Sequence, residues 1–247
     1  MSTRSEQPLL EFDRVSKRFG GLLATNEVSF SIKPGEVLSI IGPNGAGKTT
    51  IFNLITGFLK PDAGDIRLEG RSIAGKKPYE VARLGVGRTF QIVKPLPNMT
   101  VLDNVMLGAF AHTSSKHEAQ ERALEILEAT RLVDRRGMLA GALTLAGRKR
   151  LEIARALATR PKLILLDEVV AGLTPTEALE TVGLLKRLSE HGVSAIGGIE
   201  HVMRVVMEIS DRVIVIHHGQ KIAEGTPQEV TSNPAVIEAS LGAQAEG

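Results

Sequence analysis

Gly42-Pro43-Asn44-Gly45-Ala46-Gly47-Lys48-Thr49 decides how the rest of the chain is read. The octet satisfies G-x-x-x-x-G-K-[ST] at every fixed position. A strand-like run, Glu36 to Ile41, leads in; a helix-like run, Thr50 to Thr56, leads out and stops at Gly57. In a strand–loop–helix unit, glycines let successive backbone N–H groups curl around an oxyanion, and the helix dipole adds positive field. Lys48 then reaches the β- and γ-phosphates of a nucleotide, and the Thr49 hydroxyl can ligate Mg²⁺. The candidate nucleotide set is therefore Gly42, Pro43, Asn44, Gly45, Ala46, Gly47, Lys48, Thr49 and the adjoining Thr50. A plain glycine-rich turn would not need Lys and Thr in that register.

The chain of 247 residues is long enough for a real core, and 43% hydrophobic with 23% charged residues is ordinary for a globular protein. Thirty Lys and Arg against 28 Asp and Glu leave a formal charge of +2, which gives no electrostatic case for a nucleic-acid partner. Trp is absent and Tyr occurs once, so stacking platforms for single strands are not expected either. There is no cysteine, which excludes disulfides and thiolate metal sites. The polar N-terminus lacks the apolar core of a signal peptide, and no run approaches a membrane span. A membrane role would be peripheral.

Outward from the loop, Leu9 to Asp13 and Glu27 to Ile32 alternate as half-buried strands, with a turn carrying Phe19 between them. Ile66 to Gly70 is a further strand, and Pro78 opens a short helix to Leu84. Val86 to Gln91 reads as a strand ending on a polar tip. Pro95 and Pro97 then break the chain ahead of charged, helically spaced residues 100–136. We read residues 92 to about 150 as a mostly helical insert, flanked by a core formed from about 1–91 and 151–247. A helix ends at Arg160-Pro161, and Leu163 to Leu166 is a short apolar run suited to a buried parallel strand. Helices over Thr176–His191 and Met203–Ile209 alternate with strands over Val193–Gly197, Val213–His217 and Gln220–Ala223. The expected fold is α/β, with a parallel core.

Leu163 to Leu166 delivers Asp167 and Glu168 to the C-terminal edge of that strand, where open α/β sheets bind ligands. Taken alone, a strand ending in two solvated acids would be unremarkable. Beside a complete phosphate loop, Asp167 is expected to hold Mg²⁺ through water and Glu168 to polarise an attacking water.

These residues resemble the ATP-binding subunits of ABC transporters over nearly the whole chain. The resemblance implies a P-loop NTPase core with an antiparallel β subdomain and an inserted α-helical subdomain. It also assigns roles. Gln91, in Arg88-Thr89-Phe90-Gln91, would sense the γ-phosphate and metal and face the membrane subunit. His201, in Ile199-Glu200-His201, would contact the γ-phosphate. Phe19 matches the aromatic that stacks on adenine. The family's signature, ideally L-S-G-G-Q, falls on Leu143-Thr144-Leu145-Ala146-Gly147. Thr144 keeps a hydroxyl, Leu145 and Ala146 replace both glycines, and Gly147 stands where Gln is usual. In the family this helix N-terminus offers N–H groups to the ATP held by the other subunit. Ala146 can serve there if its φ is negative. In the loop after the acids, Thr174 stands where the family often has Asp.

The strings Gly87–Gln91, Leu151–Leu157 and Ile222–Pro227, with the tail Asn233 to Gly242, resemble the branched-chain and hydrophobic amino-acid uptake branch. The implied protein is an ATPase subunit of an importer, using ATP and Mg²⁺, peripheral on the cytoplasmic face of the cell membrane. Its implied partners are a second ATP-binding subunit (identical or not), permease subunits near Gln91, and a separate solute-binding protein, with no nucleic acid. Two other classes compete. Soluble ABC ATPases of ribosomes or chromosomes usually carry two cassettes or a long coiled coil, and neither is present. A P-loop kinase or GTPase would leave Gln91, the Thr144 segment and His201 without a role.

Overall fold

The computed structural model describes residues 7–89, 95–190, 193–198 and 203–245. The chain begins with β1 (Leu10–Phe19) and β2 (Leu22–Ile32), an antiparallel pair turning at Gly20-Gly21. Both strands outrun the sequence expectation, because register shifts between Phe12 and Arg18 break the alternation without ending the ladder. Serine hydroxyls satisfy the displaced backbone: Arg14 N–H donates to Ser29 Oγ at 2.7 Å and Glu27 N–H to Ser16 Oγ at 2.9 Å. A period-2 reading stops at a bulge; the structure does not.

Next come β3 (Val37–Ile41), buried throughout, α1 (Lys48–Ile55), β4 (Ala63–Leu68), β5 (Arg71–Ser72), α2 (Pro78–Arg83) and β6 (Val86–Arg88). β1, β2, β4 and β5 form one antiparallel sheet in the order β2-β1-β4-β5. Three helices follow: α3 (Val101–Ala109), α4 (Lys116–Ala129) and α5 (Leu145–Ala158). Each starts on a hydroxyl cap, with Thr100, Ser115 and Thr144 accepting from the N–H three residues on. The Ser115 cap is what divides the expected helical block of residues 100–136 in two.

The chain closes with β7 (Leu163–Asp167), α6 (Pro175–Glu190), β8 (Ser194–Gly198), α7 (Met203–Ile209), β9 (Arg212–His217), β10 (Gln220–Gly225), α8 (Pro227–Thr231) and α9 (Pro234–Ala245). The second sheet runs β10-β9-β3-β8-β7-β6, parallel except for β10. Its two faces fill two cores. Leu38, Ile40, Leu163, Leu165, Ile214 and Ile216 pack with α1 and the antiparallel sheet. Val37, Ile41, Ile164, Leu166, Val213 and Val215 point the other way, toward α3 to α6. Successive side chains of a strand face opposite sides, so continuous apolar runs are what a sheet covered on both faces requires. Each fully buried Leu, Ile or Val contributes about 1.5–3 kcal/mol.

Candidate functional site

The phosphate loop joins β3 to α1, and its shape is fixed by close backbone neighbours. At Gly42 (φ 152°) an added Cβ would lie 2.0 Å from the Ile216 carbonyl oxygen; at Gly47 (φ 110°) it would lie 2.4 Å from that of Ala24. Glycine is needed at both for conformation and for space. Gly219, in the β9–β10 turn, donates its N–H to Ala46 O at 2.9 Å and accepts from Asn26 N–H at 2.8 Å. Lys48 is buried, and its Nζ donates to Gly42 O at 2.6 Å and Pro43 O at 2.8 Å. The ammonium thus lies along the loop, held by carbonyls at its start.

β7 ends on the acids as expected. Arg88 Nη2 donates to Asp167 Oδ2 at 3.2 Å, with both side chains largely withdrawn from solvent. The same guanidinium donates through Nη1 to Asn53 Oδ1 at 2.6 Å and lies over the Phe52 ring, 5.6 Å from its centroid. Burial draws the Arg88 pKa down, and the Asp167 carboxylate opposes that shift. Thr89 Oγ1 accepts the Asp167 N–H at 3.2 Å. Arg88 therefore pins the acid-bearing strand to the helix behind the phosphate loop. Sequence reasoning missed this role; the available signal was a cation at the end of a short apolar strand, three residues before Gln91.

Thr49, Arg88 and Asp167 share one cavity of about 860 Å³ with Phe58, Leu107 and Arg155. A hydroxyl and one carboxylate are hard oxygen donors of the kind Mg²⁺ accepts when nucleotide phosphates and water complete its shell. Among the described residues no cluster of three His, Cys, Asp or Glu could hold a metal by itself. The donor set fits Mg²⁺ arriving with a nucleotide.

Glu168 has a left-handed backbone (φ 48°). Its carbonyl oxygen accepts from Lys149 Nζ at 2.6 Å and from Ala171 N–H at 3.1 Å. Lys149 is buried; burial lowers its pKa, opposed by the Glu168 and Glu152 charges. Like Arg88, it escaped the sequence reading.

Phe19 lies at the end of β1 with its ring 46% exposed, so it has no core role, and Lys17 Nζ lies 5.8 Å from its centroid. In the signature segment, Thr144 Oγ accepts Gly147 N–H at 3.2 Å, and Ala146 lies in the first turn of α5 without positive φ. Ala146 and Gly147 are buried, leaving Thr144 and Leu145 on the surface. Thr174 accepts from Glu177 N–H, while its own N–H and hydroxyl donate to the Glu177 carboxylate at 2.9 Å, which starts α6 without an aspartate. Gln91 and His201 lie outside the described residues.

A family model described as ABC transporter matches residues 25–171. The chain belongs to the ABC transporter family. A second model, branched-chain amino acid ATP-binding cassette transporter, matches residues 220–246 of this ABC chain. The high-affinity branched-chain amino acid transport ATP-binding protein BraF of Pseudomonas aeruginosa is 42% identical, over 96% of this chain and 98% of that protein. Among solved structures, the ADP conformation of an ATP-binding cassette of an ABC transporter is 36% identical, with TM-score 0.87 over 95% of this chain and 99% of that one. A dimeric post-hydrolysis cassette bound to ADP and phosphate is 28% identical, with TM-score 0.78 over 88% and 98%. The expected ABC ATPase fold is thus found in the elements described above.

Proposed function

We propose that this ABC chain is the ATP-hydrolysing subunit of an importer for branched-chain or related hydrophobic amino acids. The observation that carries the reading is structural and local together. A complete phosphate loop, Asp167 and Glu168 sit in one ABC cassette whose C-terminal residues 220–246 match the branched-chain amino acid model. The relatives being transport ATP-binding proteins leaves a ribosomal or chromosomal role without support.

Lys48 leaves its two loop carbonyls to meet β- and γ-phosphate oxygens, a short move for a flexible stem. Thr49 and Asp167 would hold Mg²⁺, which would neutralise phosphate charge. Glu168 takes the proton of the attacking water. Phe19 covers adenine. Gln91 and His201 read the γ-phosphate, and Thr144 to Gly147 of one subunit completes the site of the other. Two subunits close head to tail on ATP and separate after hydrolysis. Residues 92 to about 150 form the helical subdomain. Permease subunits dock on the cytoplasmic side, in the cleft lined by Phe58 and Leu107 beside Arg88, and a separate solute-binding protein delivers the amino acid.

The test is reconstitution of this chain with its co-expressed permease and solute-binding partners in proteoliposomes. Leucine, isoleucine or valine should stimulate ATP hydrolysis and accumulate inside, whereas glutamate and lysine should not. Hydrolysis indifferent to every amino acid would overturn the assignment.

A further inference from the structure

We propose that Lys149 is a positioning residue for Glu168, a tether from α5 that fixes how the hydrolytic carboxylate of the same subunit is aimed. The proposal rests on the reading of Glu168 as general base. Glu168 adopts φ 48°, a left-handed conformation that a non-glycine residue keeps only where its surroundings over-determine it. Two donors do so. Lys149 Nζ at 2.6 Å and Ala171 N–H at 3.1 Å both donate to the Glu168 carbonyl oxygen. Return to an ordinary negative φ would swing the side chain away from the edge of β7.

The Lys149 ammonium is buried at 8% exposure, a costly place for a charge, and it spends a short hydrogen bond on a backbone carbonyl. Leu145, one turn earlier, lies on the same face of α5. Its Cδ2 would be 3.2 Å from a Cβ placed on Gly172 (φ 73°), so the helix rests on the loop after the acids at two points. Leu145 replaces a signature glycine, and the glycine opposite it makes the room. The departure at Leu145 and the tether at Lys149 are thus one contact surface between α5 and the acid loop.

Lys149→Met keeps the apolar stem and removes the donor. Steady-state kinetics should show kcat reduced between about 10- and 100-fold with KM for ATP unchanged, the signature of a misaimed group rather than lost binding. A second readout separates aiming from folding: the variant should accumulate an ATP-stabilised dimer by light scattering, as is expected of Glu168→Gln, because binding survives while chemistry stalls. Lys149→Arg, which keeps a charged donor, should recover most of the rate. If Lys149→Met turns over normally while Glu168→Gln is inactive, the tether is overturned and the base assignment stands. If Glu168→Gln itself hydrolyses normally, the base assignment fails first. Loss of both dimer and turnover in Lys149→Met would make the lysine a support for α5 alone. Should the methionine variant lose ATP binding, Lys149→Gln, one bond too short to reach, is read the same way; loss of ATP binding there too would make Lys149 a folding residue and end the proposal.

Discussion

At the scale of single residues, the site divides into groups that bind and groups that act. Glu168→Gln changes shape little but removes the carboxylate that polarises water, so ATP affinity should persist while hydrolysis falls by about 10²–10⁴. Calorimetry and phosphate release check the two halves separately, and turnover near the unmutated rate would remove Glu168 from the chemistry. Phe19→Ala should weaken ATP by about 1–3 kcal/mol while leaving inorganic triphosphate unaffected, because the half-exposed ring offers a face to a base and nothing to the phosphates. Equal losses for both ligands would make the ring structural. Arg88 belongs to neither group. Arg88→Met leaves the largely buried Asp167 carboxylate without its cation and should cost about 1–3 kcal/mol in urea unfolding, and adding Asp167→Asn should restore a large part of it. An additive double variant would show that the two charges do not depend on each other.

At the scale of elements, α5 carries the most consequence. Thr144 caps it through a hydroxyl, and aspartate caps as well as threonine. Thr144→Asp should therefore leave α5 and monomer ATP affinity intact yet set a carboxylate at the surface offered to the partner's nucleotide. ATP-driven dimerisation should disappear by light scattering; a normal dimer would end the head-to-tail reading. The caps of α6 and α8 predict a pH effect. Glu177 is held below the ordinary glutamate value of 4.5 by the N–H and hydroxyl of Thr174, and Glu229 likewise by Thr226. A carboxyl with a lowered folded pKa adds stability that is fully present above its unfolded pKa and is lost as pH falls through the folded one. Glu177→Gln with Glu229→Gln should thus be less stable than the parent at pH 7, by a margin that solvent screening keeps small and that closes in acid. Urea midpoints across pH 3 to 7 measure it. Elements with one dominant period were legible: α7 runs from Met203 to Ile209 as the sequence reads, and β7 carries its four apolar residues to the acids. What was not legible needed a partner distant in sequence. The irregular ladder of β1 and β2 is satisfied by Ser29 of β2, which accepts from Arg14, and by Ser16 of β1, which accepts from Glu27, and the αL backbone of Glu168 is met by a lysine nineteen residues earlier. No local pattern announces either.

At the scale of the molecule, the cavity between the parallel sheet and the helices opens beside Phe58 and Leu107, which are 54% and 44% exposed. Large apolar side chains in an open cleft favour a docked partner over solvent. Leu107→Glu should leave ATP affinity of the isolated chain unchanged and abolish amino-acid-stimulated hydrolysis in the reconstituted transporter, read as phosphate release against uptake. Retained stimulation would place the permease elsewhere.

The order β10-β9-β3-β8-β7-β6 has a consequence in time. β3, which launches the phosphate loop, is flanked on both sides by strands made more than 150 residues later, and the loop itself is braced by Gly219. A chain emerging from the ribosome holds its whole phosphate-loop motif long before it holds the walls of that loop. Pairings this remote in sequence are slow to close. Nucleotide capture is therefore a late event in biogenesis, and a nascent chain halted before Arg212 should carry every residue of the loop yet retain no ATP.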